Sequence, residues 1–124
     1  MMITILKIAP GHKPERVTIP HTLEAMQKVV GGTIEVIYPY DDPVALVCND
    51  EGKLMGLPLN RPVRDLETRA ILDIIAGTFF LCSLSEDEFA SLNKEQIERY
   101  GNLFRSPELF LQTESQLLIL QMEA

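Results

Sequence analysis

Five residues in a row, Val44-Ala45-Leu46-Val47-Cys48, are apolar whichever way a strand would turn them. Side chains along a strand point alternately to its two faces, so a strand with one wet face alternates apolar with polar. An unbroken apolar run of this length, bounded by turn residues, predicts a central strand covered on both sides. The rest of the chain must supply the covers.

Upstream, Ile3, Ile5, Leu6 and Ile8, the break Pro10-Gly11-His12-Lys13-Pro14, and then Arg16-Val17-Thr18-Ile19 predict a β-hairpin. Thr22 is placed to cap a short helix from Leu23 to Val30, with Leu23, Met26 and Val30 on one face and Gly31-Gly32 as its stop. Thr33 to Tyr38 alternates with strand period until Pro39-Tyr40-Asp41-Asp42-Pro43 breaks it. Asn49-Asp50-Glu51-Gly52 predicts a turn with Gly52 at positive φ, so that Lys53-Leu54-Met55 returns as the other arm of a hairpin. From Gly56 to Arg69 two prolines and no sustained period predict an extended loop, with a helical turn allowed over Asp65 to Leu72.

Ile74 to Leu81 predicts a further strand, with Gly77 marking a bulge or a close backbone approach. Ser85-Glu86-Asp87-Glu88 and Asn93-Lys94-Glu95-Gln96 each fit a capping box. They predict a one-turn helix followed by a longer one that presents Ile97, Tyr100, Leu103 and Phe104 to the sheet. The tail, Leu109 to Ala124, contains Leu117-Leu118-Ile119-Leu120, which is too apolar to be left in water. It is expected either to extend the sheet or to join a second copy in a homo-oligomer, most simply a dimer. The sum is an α+β fold with strands near Ile3, Val17, Ile34, Val44 and Phe79. These form an antiparallel or mixed sheet of about five strands, with two or three helices packed mainly on one face. Residues 1–124 are read as a single domain in which 106–124 is a C-terminal extension.

Composition narrows the class. With 124 residues, 46% hydrophobic and 23% charged, the chain has globular composition and can bury roughly two-thirds of its unfolded surface. It needs no disulfide or metal, and its two cysteines, Cys48 and Cys82, lie in apolar runs as small hydrophobes of a reduced interior. Met1 to Ile8 has no basic stretch ahead of its apolar residues and Pro10 cuts it short, against a signal peptide. The longest apolar run, Ile74 to Cys82, is about half what a spanning helix requires, so a cytoplasmic protein is expected. The formal charge of −7 opposes direct nucleic-acid binding as a bulk effect.

No catalytic pattern stands out, and an enzyme is not expected. His12 and His21 have no ligand spacing to a cysteine, so no metal or cofactor is implied. Asp41-Asp42 reads as a turn, and Glu86-Asp87-Glu88 as carboxylates favouring a helix N-terminus. One stretch differs. From Asn49 to Arg61 it gathers Asn49, Lys53, Asn60 and Arg61 with flexible glycines. Cations give charge-assisted donors and amides read an edge, so these four are the candidate ligand-binding residues for a nucleotide-like anion.

Several blocks in this order are also familiar as a set: Glu35 to Asp42, Leu46 to Lys53 with Gly56 to Arg61, Asp73 to Phe80, and Leu92-Asn93 with Glu95 to Tyr100. Together the sequence resembles domain-of-unknown-function family 3846 from Ile3 to Phe104, and departs from that pattern after Ser106. The resemblance implies a small, stand-alone protein of phages and other mobile elements. It brings no catalytic residue with it. The expected function is a non-enzymatic binding protein that sequesters a nucleotide-derived defence signal. The alternatives are an acidic protein that docks on and inhibits a host enzyme, and an enzyme acting on small nucleotides.

Overall fold

The structure is a computed structural model and describes residues 1–122; Glu123 and Ala124, the last two positions of the tail, lie outside the described residues. In chain order the elements are β1 (Met2–Ile8), β2 (Glu15–Pro20), α1 (Leu23–Val30), β3 (Ile34–Ile37), β4 (Val44–Asn49), β5 (Leu59–Arg64) and β6 (Ile71–Ala76). There follow β7 (Phe79–Ser85), β8 (Glu88–Ala90), α2 (Lys94–Leu103), β9 (Glu108–Gln112) and β10 (Leu117–Gln121).

The five strands expected from the sequence are the path of the main sheet, ordered β2-β1-β7-β4-β3, with every pairing antiparallel. The short β8 pairs with the end of β7. Along β4 every residue is buried, and alternate residues enter different cores. Val44, Leu46 and Cys48 pack with Leu6, Ile8, Phe79 and Leu81 on one side. Ala45 and Val47 pack with Ile3, Ile5, Phe80 and Cys82 on the other.

The covers correct the expected layering. Helix α1 closes one face through Met26 and Val30, whereas α2 closes the opposite face through Tyr100 and Phe104, joined there by Val63 and Ile75 of the β5–β6 hairpin. A strand apolar on both sides needs cover on both, and one helix goes to each. Ten strands are present among the described residues rather than about five, because β8 adds a sixth strand to the main sheet and β5–β6 and β9–β10 form separate two-stranded sheets.

Both helices begin as their sequences predict. Thr22 Oγ1 accepts from the Ala25 N–H at 3.1 Å, and Gly31 ends α1 with φ 78°. Asn93 forms the capping box: its Oδ1 accepts from the Gln96 N–H at 2.8 Å, and the Asn93 N–H donates to Gln96 Oε1 at 3.0 Å. Leu23, expected on the inner face of α1, is 57% exposed.

Four local expectations fail. The loop expected from Gly56 to Arg69 contains strand β5, because β6, further along the chain, supplies it with a partner that no local period reveals. Lys53-Leu54-Met55 forms no strand, since both edges of β4 are taken by β3 and β7; the chain instead makes a helical turn in which the Met55 N–H donates to the Glu51 carbonyl at 2.8 Å. Gly52 is needed there for closeness rather than for a positive φ, because a Cβ on it would lie 2.6 Å from the Ala76 carbonyl oxygen. Ser85 to Glu88 is a two-residue hairpin turn between β7 and β8, not a helix start: Glu86 and Asp87 take φ 51° and 65°, the geometry of a type I′ turn. Finally, Ile74 to Leu81 is two strands. Gly77, at φ 83°, lets the chain leave β6 for β7 while passing close to Leu57.

Candidate functional site

Of the four sequence-predicted site residues, Asn60 and Arg61 lie in β5 with no exposed surface. Asn60 Nδ2 donates to the carbonyls of Ile8 and Gly77 at 2.8 and 2.9 Å, which ties the end of β1 to the β6–β7 crossing. Arg61 reaches across the fold. Its Nη2 donates to the His12 carbonyl at 2.6 Å and the Phe104 carbonyl at 3.1 Å, its Nε donates to Phe104 at 3.3 Å, and its Nη1 donates to Asn60 Oδ1 at 2.8 Å. Phe104 is the C-cap of α2, so the guanidinium sits where the helix dipole is negative. Burial lowers the Arg61 pKa from its ordinary value, opposed by the Glu108 carboxylate nearby. Glu108 itself accepts from Arg64 at 3.0 Å.

Asn49 and Lys53 come together elsewhere, around a cleft of about 110 Å³ between the turn after β4 and strand β6. Asn49 is buried, donating to the Val30 carbonyl at 3.2 Å and accepting from the Glu51 N–H at 2.8 Å. Lys53 is exposed and pairs with Asp73 at 2.9 Å. Glu35, Asp50, Glu51 and Asp73 line this cleft against the single cation Lys53, a charge balance that repels a phosphate. Neither Asn60 nor Arg61 lines this cleft.

Where an anion finds complementary charge is on the α1 side of the sheet. Lys7 follows Ile3 and Ile5 on that face of β1, and Lys28 lies in the last turn of α1, where the helix dipole favours a cation. With Val17 and Ile19 of β2 and Ala25 and Val29 of α1 they line a groove of about 620 Å³, in which Glu24 is the one carboxylate. A second hollow of about 440 Å³ shares Lys7 and adds His12, Lys13 and one carboxylate, Glu15, which stands opposite Lys7 in the β1–β2 register. Among the described residues neither Lys7 nor Lys28 forms an ion pair.

The sequence carried a signal for this groove in its charge distribution. Residues 1–34 hold four Lys and Arg against two Asp and Glu, whereas residues 35–124 hold seven against sixteen. Lys7 and Lys28 stand singly among apolar residues, so a search for clustered motifs passes over them.

Nucleophiles are sheltered. Burial pushes the thiols of Cys48 and Cys82 up to about 12, aided at Cys48 by Glu35, and both cysteines are free and buried. Neither is a thiolate at neutral pH. Asp42, in the turn expected at Asp41-Asp42, accepts from Tyr100 Oη at 2.7 Å and from Arg99 Nη1 at 2.8 Å. Burial, followed by the bond to Asp42, raises the Tyr100 hydroxyl to about 12. Among the described residues no three His, Cys, Asp or Glu side chains gather as metal ligands.

Residues 3–105 match the family model described as Domain of unknown function (DUF3846), and the chain belongs to that family. The match ends before β9, so the C-terminal hairpin lies outside it. Comparison with the curated proteins found no match, and comparison with the solved structures found none either.

Proposed function

We propose that the protein is a non-enzymatic binding protein whose ligand is an anion with an apolar body, held in the groove between α1 and the β1–β2 hairpin. The supporting observation is that Lys7 and Lys28, neither of which forms an ion pair among the described residues, border an apolar floor of Val17, Ile19, Ala25 and Val29. A nucleotide has this chemistry: a base or ribose covers the apolar floor while phosphate oxygens accept from the two ammonium groups. The volume of about 620 Å³ falls in the range of small-molecule sites. In the phage and mobile-element setting that the family resemblance implies, sequestering a nucleotide-derived signal would blunt a host defence.

Thermal-shift measurement against cyclic and linear nucleotides tests this reading. At saturation at least one ligand should raise the melting temperature of the native protein, and Lys7→Gln with Lys28→Gln should remove that rise. Ligand recovered intact after denaturation favours sequestration over turnover. If no nucleotide shifts the protein, or if the shift survives both substitutions, the groove is not the site. The excess of acidic residues after position 34 would then favour docking on a basic surface of a host enzyme.

A further inference from the structure

The β9–β10 hairpin has two unequal faces. Its register places Leu111 opposite Leu118 and Leu109 opposite Leu120, all on one side. These four residues are 42%, 38%, 45% and 50% exposed, in that order. On the other side Phe110, Leu117 and Ile119 are half-buried and Glu108 is buried in its bond to Arg64. The hairpin is therefore docked by one face and leaves a leucine ladder in water on the other.

We propose that this ladder is the contact of a twofold homodimer, with the hairpins of two copies stacked face to face. The occupant is identified by charge and by area. Between Leu109 and Met122 only Glu114, in the turn, is charged, although the whole chain carries −7. A partner selected by electrostatics would meet basic or acidic side chains here, whereas the same neutral ladder from a second copy meets no repulsion. A uniformly apolar ladder can also meet a copy of itself across a twofold axis, where the same patch serves both sides. The four leucines with neighbouring Met122 expose roughly 400 Å² of apolar surface, the size of the largest patch on a typical monomer, which is often functional. Two such faces bury on the order of 800 Å², less than a standard stable interface, so the dimer is weak and concentration-dependent rather than permanent. A two-stranded hairpin is marginal alone, so cover on its second face also steadies it.

Sedimentation velocity on the full chain from about 1 to 200 μM should show a reversible shift from monomer to dimer. Leu118→Glu should move the midpoint at least tenfold to higher concentration without changing the monomer's melting temperature by more than a few degrees. Because that variant could disturb the hairpin, Leu118→Cys supplies a second reading. Under mild oxidation it should give a covalent dimer, while the buried Cys48 and Cys82 of the native chain give none. A species that stays monomeric at 200 μM overturns the proposal. So does a dimer indifferent to Leu118→Glu and not trapped by Leu118→Cys.

Discussion

The positive charge of β5 and the positive charge of the α1 groove follow opposite rules. At Arg61 a guanidinium with no exposed surface has its hydrogen bonds directed to the carbonyls of His12 and Phe104 and the amide oxygen of Asn60. At Lys7 and Lys28 the side chains border an open groove and form no ion pair among the described residues. A buried charge without partners is severely unfavourable, so Arg61 survives only because three segments converge on it. A cation without a partner at the surface costs little and stays available to a ligand. The same formal charge thus serves assembly in one region and suits recognition in the other.

Substitution separates the two roles. Arg61→Ala leaves the carbonyls of His12 and Phe104 without their donor and opens a cavity beneath α2, and should lower stability by about 3 kcal/mol or more. Denaturant unfolding measures it; a loss below about 1 kcal/mol would mean that water replaces the guanidinium easily and that the contrast drawn between the regions is too sharp.

Tyr100→Phe removes one bond to Asp42 from a side chain 1% exposed and should cost about 1 kcal/mol. It also probes alkaline stability. The hydroxyl titrates near 10.0 in the unfolded chain and near 12 in the folded one, so its contribution is whole below pH 10 and is lost as pH rises towards 12. The unfolding midpoint of the native chain should fall across that window, and less steeply in Tyr100→Phe. Equal slopes would show that other groups govern the alkaline limit, the buried thiols foremost.

The smallest effect on folding is expected at the groove. Lys7→Gln together with Lys28→Gln should change stability by no more than about 0.5 kcal/mol, read from the same unfolding curves. A larger loss would place these lysines with Arg61 as parts of the scaffold and weaken their assignment to a ligand.

Much of the scaffold was legible because it depends on local period. Val44 to Cys48, Ile3 to Ile8 and the alternation from Ile34 declare strands through residues two apart, and Asn93 and Gln96 declare the start of α2 through residues three apart. The Ser85 to Glu88 segment is ambiguous in its local pattern, since serine and carboxylates suit a capping box and a tight turn alike. What decides is whether a strand is available for Phe89 to pair into, and β7 provides it.

The amino-acid sequence by itself determined where the main-sheet strands lie along the chain, the starts of both helices and a buried place for both cysteines, because hydrophobic period and capping act over a few residues. Tertiary structure alone decided that α1 and α2 take opposite faces, that Asn60 and Arg61 turn inward while Lys53 stays out, and that Lys7 and Lys28 border one groove. Arg61 is bonded to carbonyls 49 and 43 residues away in the chain, and Lys7 comes to Lys28 through the pairing of β1 with β2. Whether a polar residue is a folding element or an open donor depends on what such distant segments bring to it, and no local pattern encodes that.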